Sequence, residues 1–142
     1  MTIDQIKQLI TSLASSKGVD PALALAVAQT ESSFNPNARS GVGAQGLFQL
    51  MPATAKAYGV SSPYDPTANA TAGVQMLADL SRQYNGDVPS ILAAYNWGSG
   101  NLASGAPLPA ETQNYITKIT GILGIPASDP IRRPSHRPTH RA

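Results

Sequence analysis

The stretch SGVGAQGLFQL, residues 40–50, carries Gly41-x-Gly43-x-x-Gly46, and an acid, Asp65, stands about 20 residues later. That spacing lets a backbone pass close to a pyrophosphate while the acid holds a ribose hydroxyl. Such a loop must leave a buried strand and open a helix. Here the preceding ESSFNPNARS reads as a helix end and a polar turn, Pro52 interrupts the segment after the loop, and no strand-like alternation of useful length occurs. The context rejects nucleotide binding.

Two histidines, His136 and His140, stand at i, i+4 and could pair on a metal, but Pro138 lies between them and a third ligand is lacking. No other histidine and no cysteine exists, so Ser32, Ser33 and Ser40 have no imidazole to activate them and thiol chemistry is excluded. Carboxylates remain. Asp20, Asp65 and Asp87 read as helix caps, Asp4 lies in a first turn, Asp79 on a solvated face and Asp129 near the C-terminus. Glu31 and Glu111 are left. Glu31 ends the most apolar helix of the chain and is followed at once by a turn holding Phe34. Taken alone, a helix-end glutamate is ordinary solvated surface.

The elements that must position these acids are helical. Thr2-x-x-Gln5 is a capping-box pattern ahead of Ile3, Ile6, Leu9, Ile10 and Leu13, and Gly18 ends that helix. Asp20-Pro21 and Asp65-Pro66 each pair an N-cap with proline at the first helical position. The first opens ALALAVAQTES, which Phe34-Asn35-Pro36-Asn37 ends. The second opens a helix through Val74, Leu77, Leu80 and Tyr84, which YNGD stops. Asp87 to Asn96 forms another, and PLPAETQNYITKITGIL supplies Tyr115, Ile116, Ile119, Ile122 and Leu123 for the last. The fold class expected is mainly α, a single domain with little or no β-structure.

With 142 residues, 42% hydrophobic and 13% charged, the chain is long enough for one core. The net charge is +2, and four basic residues, Arg132, Arg133, Arg137 and Arg141, sit near the C-terminus, so the body is close to neutral. A nucleic-acid partner, which needs basic residues clustered on a folded face, is not expected. The first residues lack a basic flank and a continuous apolar run, so no signal peptide is expected, and ALALAVA is too short to span a membrane. From Pro126 to Ala142 proline and arginine dominate, and that segment is expected to be a disordered tail. Asn69-x-Thr71 spells a glycosylation sequon but falls inside an expected helix.

The segment ESSFNPNARSGVGAQGLFQLMPATA resembles the first signature of the soluble lytic transglycosylase (SLT) family, which has the goose-type lysozyme-like fold. The resemblance continues, in the family's order, through DPTANATAGVQMLADLSRQYNGD, AAYNWGSGNL and PAETQNYITKI, covering most of residues 1–125. Two departures stand out: Trp97 follows Tyr-Asn where the family has a small residue, and the loop between Asn101 and Pro109 is short.

What the resemblance implies is a domain over residues 1–125 with Glu31 as catalytic acid/base in a cleft for peptidoglycan glycan strands. It carries Ser40, Gln49, Met51, Tyr95 and Asn96 onto cleft positions around the scissile bond, and Glu111 and Tyr115 onto the last motif, near the bound sugars. Amides and hydroxyls suit the N-acetyl and hydroxyl groups of amino sugars, and Phe48, Met51 and Trp97 would offer apolar surface to sugar faces. The implied reaction is non-hydrolytic cleavage of the β-1,4 bond between N-acetylmuramic acid and N-acetylglucosamine. A monomer acting in the periplasm or cell wall, without metal or cofactor, is expected. Hydrolysis of the same bond by a muramidase, or peptidoglycan binding without catalysis, are the alternatives. On this reading the glycines of 41–46 serve a glycan and not a phosphate, by letting a tight loop bring Gln49 and Met51 opposite Glu31.

Overall fold

The computed structural model describes residues 1–131. Among them the regular structure is seven helices, with isolated β-bridges joining Arg39 to Gln45 and Gln45 to Leu50 but no strand. The mainly α class expected from the sequence is what the chain adopts. Its packing divides it into two units, Met1–Met76 and a second beginning at Leu77.

In the first unit α1 (Ile3–Lys17) starts with the capping box closed in both directions. Gln5 N–H donates to Thr2 Oγ1 at 3.1 Å, and Thr2 N–H to Gln5 Oε1 at 2.8 Å. Helix α2 (Pro21–Ser32) starts at Asp20, whose Oδ1 accepts from Ala22 N–H at 3.0 Å. These two helices pack together, burying Ile6, Ile10 and Ala14 of α1 and Leu23, Ala24 and Val27 of α2. Burial of each large aliphatic side chain contributes about 1.5–3 kcal/mol. Helix α4 (Pro66–Gln83), capped by Asp65 Oδ2 on Ala68 N–H at 2.9 Å, contributes residues to both units.

The second unit holds α5 (Val88–Trp97), α6 (Ser99–Ala103) and α7 (Ala110–Leu123), with α5 packed on both others. Asp87 caps α5, accepting from Ser90 N–H at 3.1 Å. Leu77, Tyr84, Ile91, Leu92, Leu102 and Ile119 are essentially fully buried.

Three sequence expectations change. Pro52 begins a helix, α3 (Pro52–Ala57), where interruption was expected, because proline at the first helical position loses no intrahelical bond. The five-residue α6 was not foreseen, being too short to carry a periodic signal. The tail expected from Pro126 is settled on the second unit in its first part: Pro130 is buried, and Ile131 N–H donates to Ser90 Oγ at 2.7 Å. Its remainder, with all four arginines, His136 and His140, lies outside the described residues.

Candidate functional site

The end of α2 presents Glu31, half-buried, one residue before the helix stops. Past it the chain turns through two consecutive non-glycine residues with positive φ, Ser33 at 54° and Phe34 at 61°. Each costs of order 1–3 kcal/mol and must be held by its surroundings. Phe34 is buried, and the Lys7 ammonium lies 5.3 Å from its ring centroid. Ser32 fastens the helix end to the glycine loop, its hydroxyl lying 2.8 Å from the Leu47 carbonyl and 3.1 Å from that of Ala28.

The loop itself is held mainly by backbone bonds. Ser40 N–H donates to Ala44 O at 3.0 Å, Gly46 N–H to Ala38 O at 2.8 Å, and Gln45 and Leu50 exchange both bonds at 3.0 Å. Ser40 Oγ accepts from Ala44 N–H at 3.0 Å, which leaves its O–H as a donor. Gln49, at φ 50°, turns its Nε2 onto the carbonyls of Ala38 (3.0 Å) and Gly46 (2.9 Å). Both amide hydrogens are thereby used within the loop, and Oε1 is the atom left to meet a ligand donor. Met51 is exposed at the start of α3.

Beneath the loop stands Asn69 of α4, 1% exposed. Its Oδ1 accepts from Phe48 N–H at 2.8 Å, and its Nδ2 donates to Gln45 O at 2.9 Å and Pro63 O at 2.8 Å. So enclosed, the sequon asparagine has no face for a glycan. Gly46 is required here: at φ 80°, a Cβ would sit 2.3 Å from Asn69 Nδ2 and 2.4 Å from Pro63 O. Gly41, by contrast, has neither a positive φ nor a close neighbour. Phe48 is a correction. It is fully buried, with its ring over Gly73, and offers no surface to a sugar.

In the second unit, the end of α5 and the start of α7 bring Asn96, Glu111 and Thr112 together. Asn96 Nδ2 donates to Glu111 Oε2 at 3.3 Å, and Thr112 Oγ1 donates to Asn96 Oδ1 at 2.8 Å. Thr112 is 1% exposed and Glu111 is exposed. Tyr95 and Trp97 are half-buried on either side of Asn96, whereas Tyr115 is 8% exposed on the buried face of α7. Little of Tyr115 is left open for contact with a ligand.

Of the other acids, Asp20, Asp65 and Asp87 cap helices and Asp79 pairs with Arg82. Among the described residues no group of three or more His, Asp or Glu stands close enough to hold a metal. No described helix is long and apolar enough to cross a membrane. A cavity of about 520 Å³ in the first unit, lined by Lys17, Tyr58, Val60, Ser61, Asp65 and Gln75 among others, includes none of the residues expected at the site. Sequence reasoning missed Ser32 as a tether, Asn69 as a buried hub and Thr112 as the partner of Asn96. Their bonds reach 15 to 24 residues along the chain, beyond the range of any local pattern.

Residues 8–113 match the family model described as the transglycosylase SLT domain. A transglycosylase of Enterobacteria phage PRD1 is 48% identical over 101 residues, covering 71% of this chain and 36% of the phage protein. The soluble lytic murein transglycosylase of Escherichia coli K12 is 36% identical over 125 residues, covering 81% of this chain and 19% of that one. Among solved structures, an inactive glutamate-to-glutamine mutant of the lytic transglycosylase Slt from Pseudomonas aeruginosa superposes with a TM-score of 0.72 at 28% identity. That match covers 81% of this chain and 22% of the Pseudomonas chain. The chain thus spans little more than a third of the phage relative and about a fifth of the other two.

Proposed function

Since this chain belongs to the transglycosylase SLT domain family, we propose that it cleaves the β-1,4 bond between N-acetylmuramic acid and N-acetylglucosamine in peptidoglycan without consuming water. Glu31 is the catalytic acid and then the base. The observation that carries the assignment is the disposition of acids in the first unit. Asp20 and Asp65 are committed to cap bonds and Asp4 lies in the first turn of α1, so Glu31 is the acid at a helix end beside a strained turn and a glycine loop.

Standard glycosidases flank the bond with two carboxylates, one of which attacks or activates water. Glu111, engaged by the Asn96 amide, is read as a sugar contact. A single acid then runs both halves of the reaction. Glu31 gives its proton to the leaving oxygen of N-acetylglucosamine as the glycosidic bond breaks, and the muramic N-acetyl group stabilises the oxocarbenium-like centre. The Glu31 carboxylate next takes the proton of the muramic C6 hydroxyl while O6 bonds to C1, leaving a 1,6-anhydro ring and a restored acid. Intramolecular attack benefits from a high effective concentration and needs no positioned water.

On this reading the sugar-binding groups are Ser40 O–H, Gln49 Oε1 and Met51 of the first unit, and Tyr95, Trp97, Tyr115 and the Asn96–Glu111 pair of the second. The place of action is the periplasm or cell wall, and the partner is the glycan strand. Glu31→Gln keeps the shape but cannot donate the proton, so the rate of clearing purified sacculi should fall about 10²–10⁴-fold while circular dichroism and sacculus binding stay unchanged. Retention of more than about a tenth of the rate would remove Glu31 from the acid role.

A further inference from the structure

We propose that Thr112 is a positioning residue whose hydroxyl fixes the orientation of the Asn96 amide, and through it the Glu111 carboxylate. The inference rests on the reading of Asn96 and Glu111 as sugar contacts. Its chemistry starts from the one group with no choice. An ionised carboxylate only accepts, so the Asn96 atom 3.3 Å from Glu111 Oε2 must be the NH₂ end. The amide oxygen is thereby turned to Thr112, 2.8 Å away, and since a carbonyl also only accepts, the threonine hydroxyl must be the donor. The order Thr112 O–H to Asn96 C=O, then Asn96 N–H to Glu111, is the one arrangement of the three in which every contact is attractive.

Thr112 is committed to this bond. A helical threonine commonly turns its hydroxyl back onto the carbonyl four residues earlier, as Thr120 does to Ile116 at 2.7 Å in the same helix and Thr71 does to Thr67 in α4. At Thr112, a residue 1% exposed, the corresponding carbonyl, Leu108, accepts from Gln113 Nε2 instead, and the threonine hydroxyl reaches across to Asn96 of α5. Adjacent residues of α7, Glu111 and Thr112, thus grip the two ends of one amide on α5. Without the hydroxyl, the amide oxygen loses its donor, and a flip that sends it elsewhere sets it against the carboxylate. Glu111 then loses the N–H that holds it.

The test measures kcat and KM for sacculus cleavage in Thr112→Val and Thr112→Ser, each in the wild-type and Glu111→Gln backgrounds. Valine, which keeps the shape, should lower kcat/KM about tenfold, and serine, which keeps the hydroxyl, should restore it to within about twofold. In Glu111→Gln the residue at 111 can present either a donor or an acceptor, so valine should cost less than about twofold there. Equal losses in valine and serine, or the same valine loss in both backgrounds, overturn the proposal. Should Thr112→Val fail to fold, Asn96→Asp replaces it: removing the donor facing Glu111 should cost about as much, and full activity would overturn the proposal. Wild-type protein that leaves sacculi intact would defeat the activity reading. The positioning claim is then decided by NMR, where the Asn96 side-chain amide protons should be protected from exchange in wild type and Thr112→Ser and lose that protection in Thr112→Val; equal protection in all three overturns it.

Discussion

The two units hold their candidate site residues by different means. Around Glu31 the positioning is done by the backbone: positive φ at Ser33, Phe34 and Gln49, and side chains of Ser32, Gln49 and Asn69 bonded to main-chain groups. Around Glu111 it is done by side chains bonded to side chains, with Asn96 between Glu111 and Thr112. Backbone positioning ties the site to the fold, so disturbing it should cost stability together with activity. Side-chain positioning is separable, and substitutions there should change activity while the fold persists.

The largest expected effect is Gly46→Ala. The added Cβ would overlap both the Asn69 amide and the Pro63 carbonyl at a backbone angle that alanine resists. A loss above about 4 kcal/mol is expected, read as failure to fold or a collapsed urea midpoint. A stable variant would mean the loop is free to move off Asn69, ending its description as backbone-held.

Next comes a matched pair. Asn69→Ala removes the acceptor of Phe48 N–H and two donors inside the first unit, and should cost about 2–4 kcal/mol by urea unfolding. Asn96→Ala should cost about 1–2 kcal/mol, less than Asn69→Ala because one buried group, the Thr112 hydroxyl, and not three loses its partner, yet lower sacculus cleavage about tenfold. If the two asparagines change stability equally, the contrast between the units fails.

The smallest effect belongs to Ser32→Ala, which cuts the tie from the helix end to the Leu47 carbonyl. About 1 kcal/mol of stability should be lost together with part of the cleavage rate, because the same bond serves both. Loss of rate at unchanged stability would assign Ser32 to the chemistry and not to the tether.

How much of this could be read in the sequence depends on the range of the interactions. Thr2 with Gln5, Asp20, Asp65 and Asp87 each act within three residues, and all four helix starts stand where the sequence puts them. Membership of the family was legible as well, because its motifs are local strings in a fixed order. Pro52 was misread because a proline says that a helix cannot continue through it, and says equally that one can begin there. The burial of Phe48 could not be read locally, since the space for its ring is made by Gly73, far along the chain. Asn69 and Thr112 were illegible for the same reason: a buried polar side chain declares its purpose only when its partner is in place. For the candidate site, the sequence identified which residue types could touch a sugar. The structure added which atoms of Ser40 and Gln49 the loop has already used.

The central claim is that one acid cleaves the strand with no water entering the product. Mass spectrometry of sacculi digested by the wild-type protein tests it most directly. Muropeptides ending in 1,6-anhydromuramic acid, lighter by one water than their hydrolysed counterparts, are the predicted result. Products ending predominantly in reducing muramic acid would contradict it, make the protein a muramidase, and require a second carboxylate to activate water.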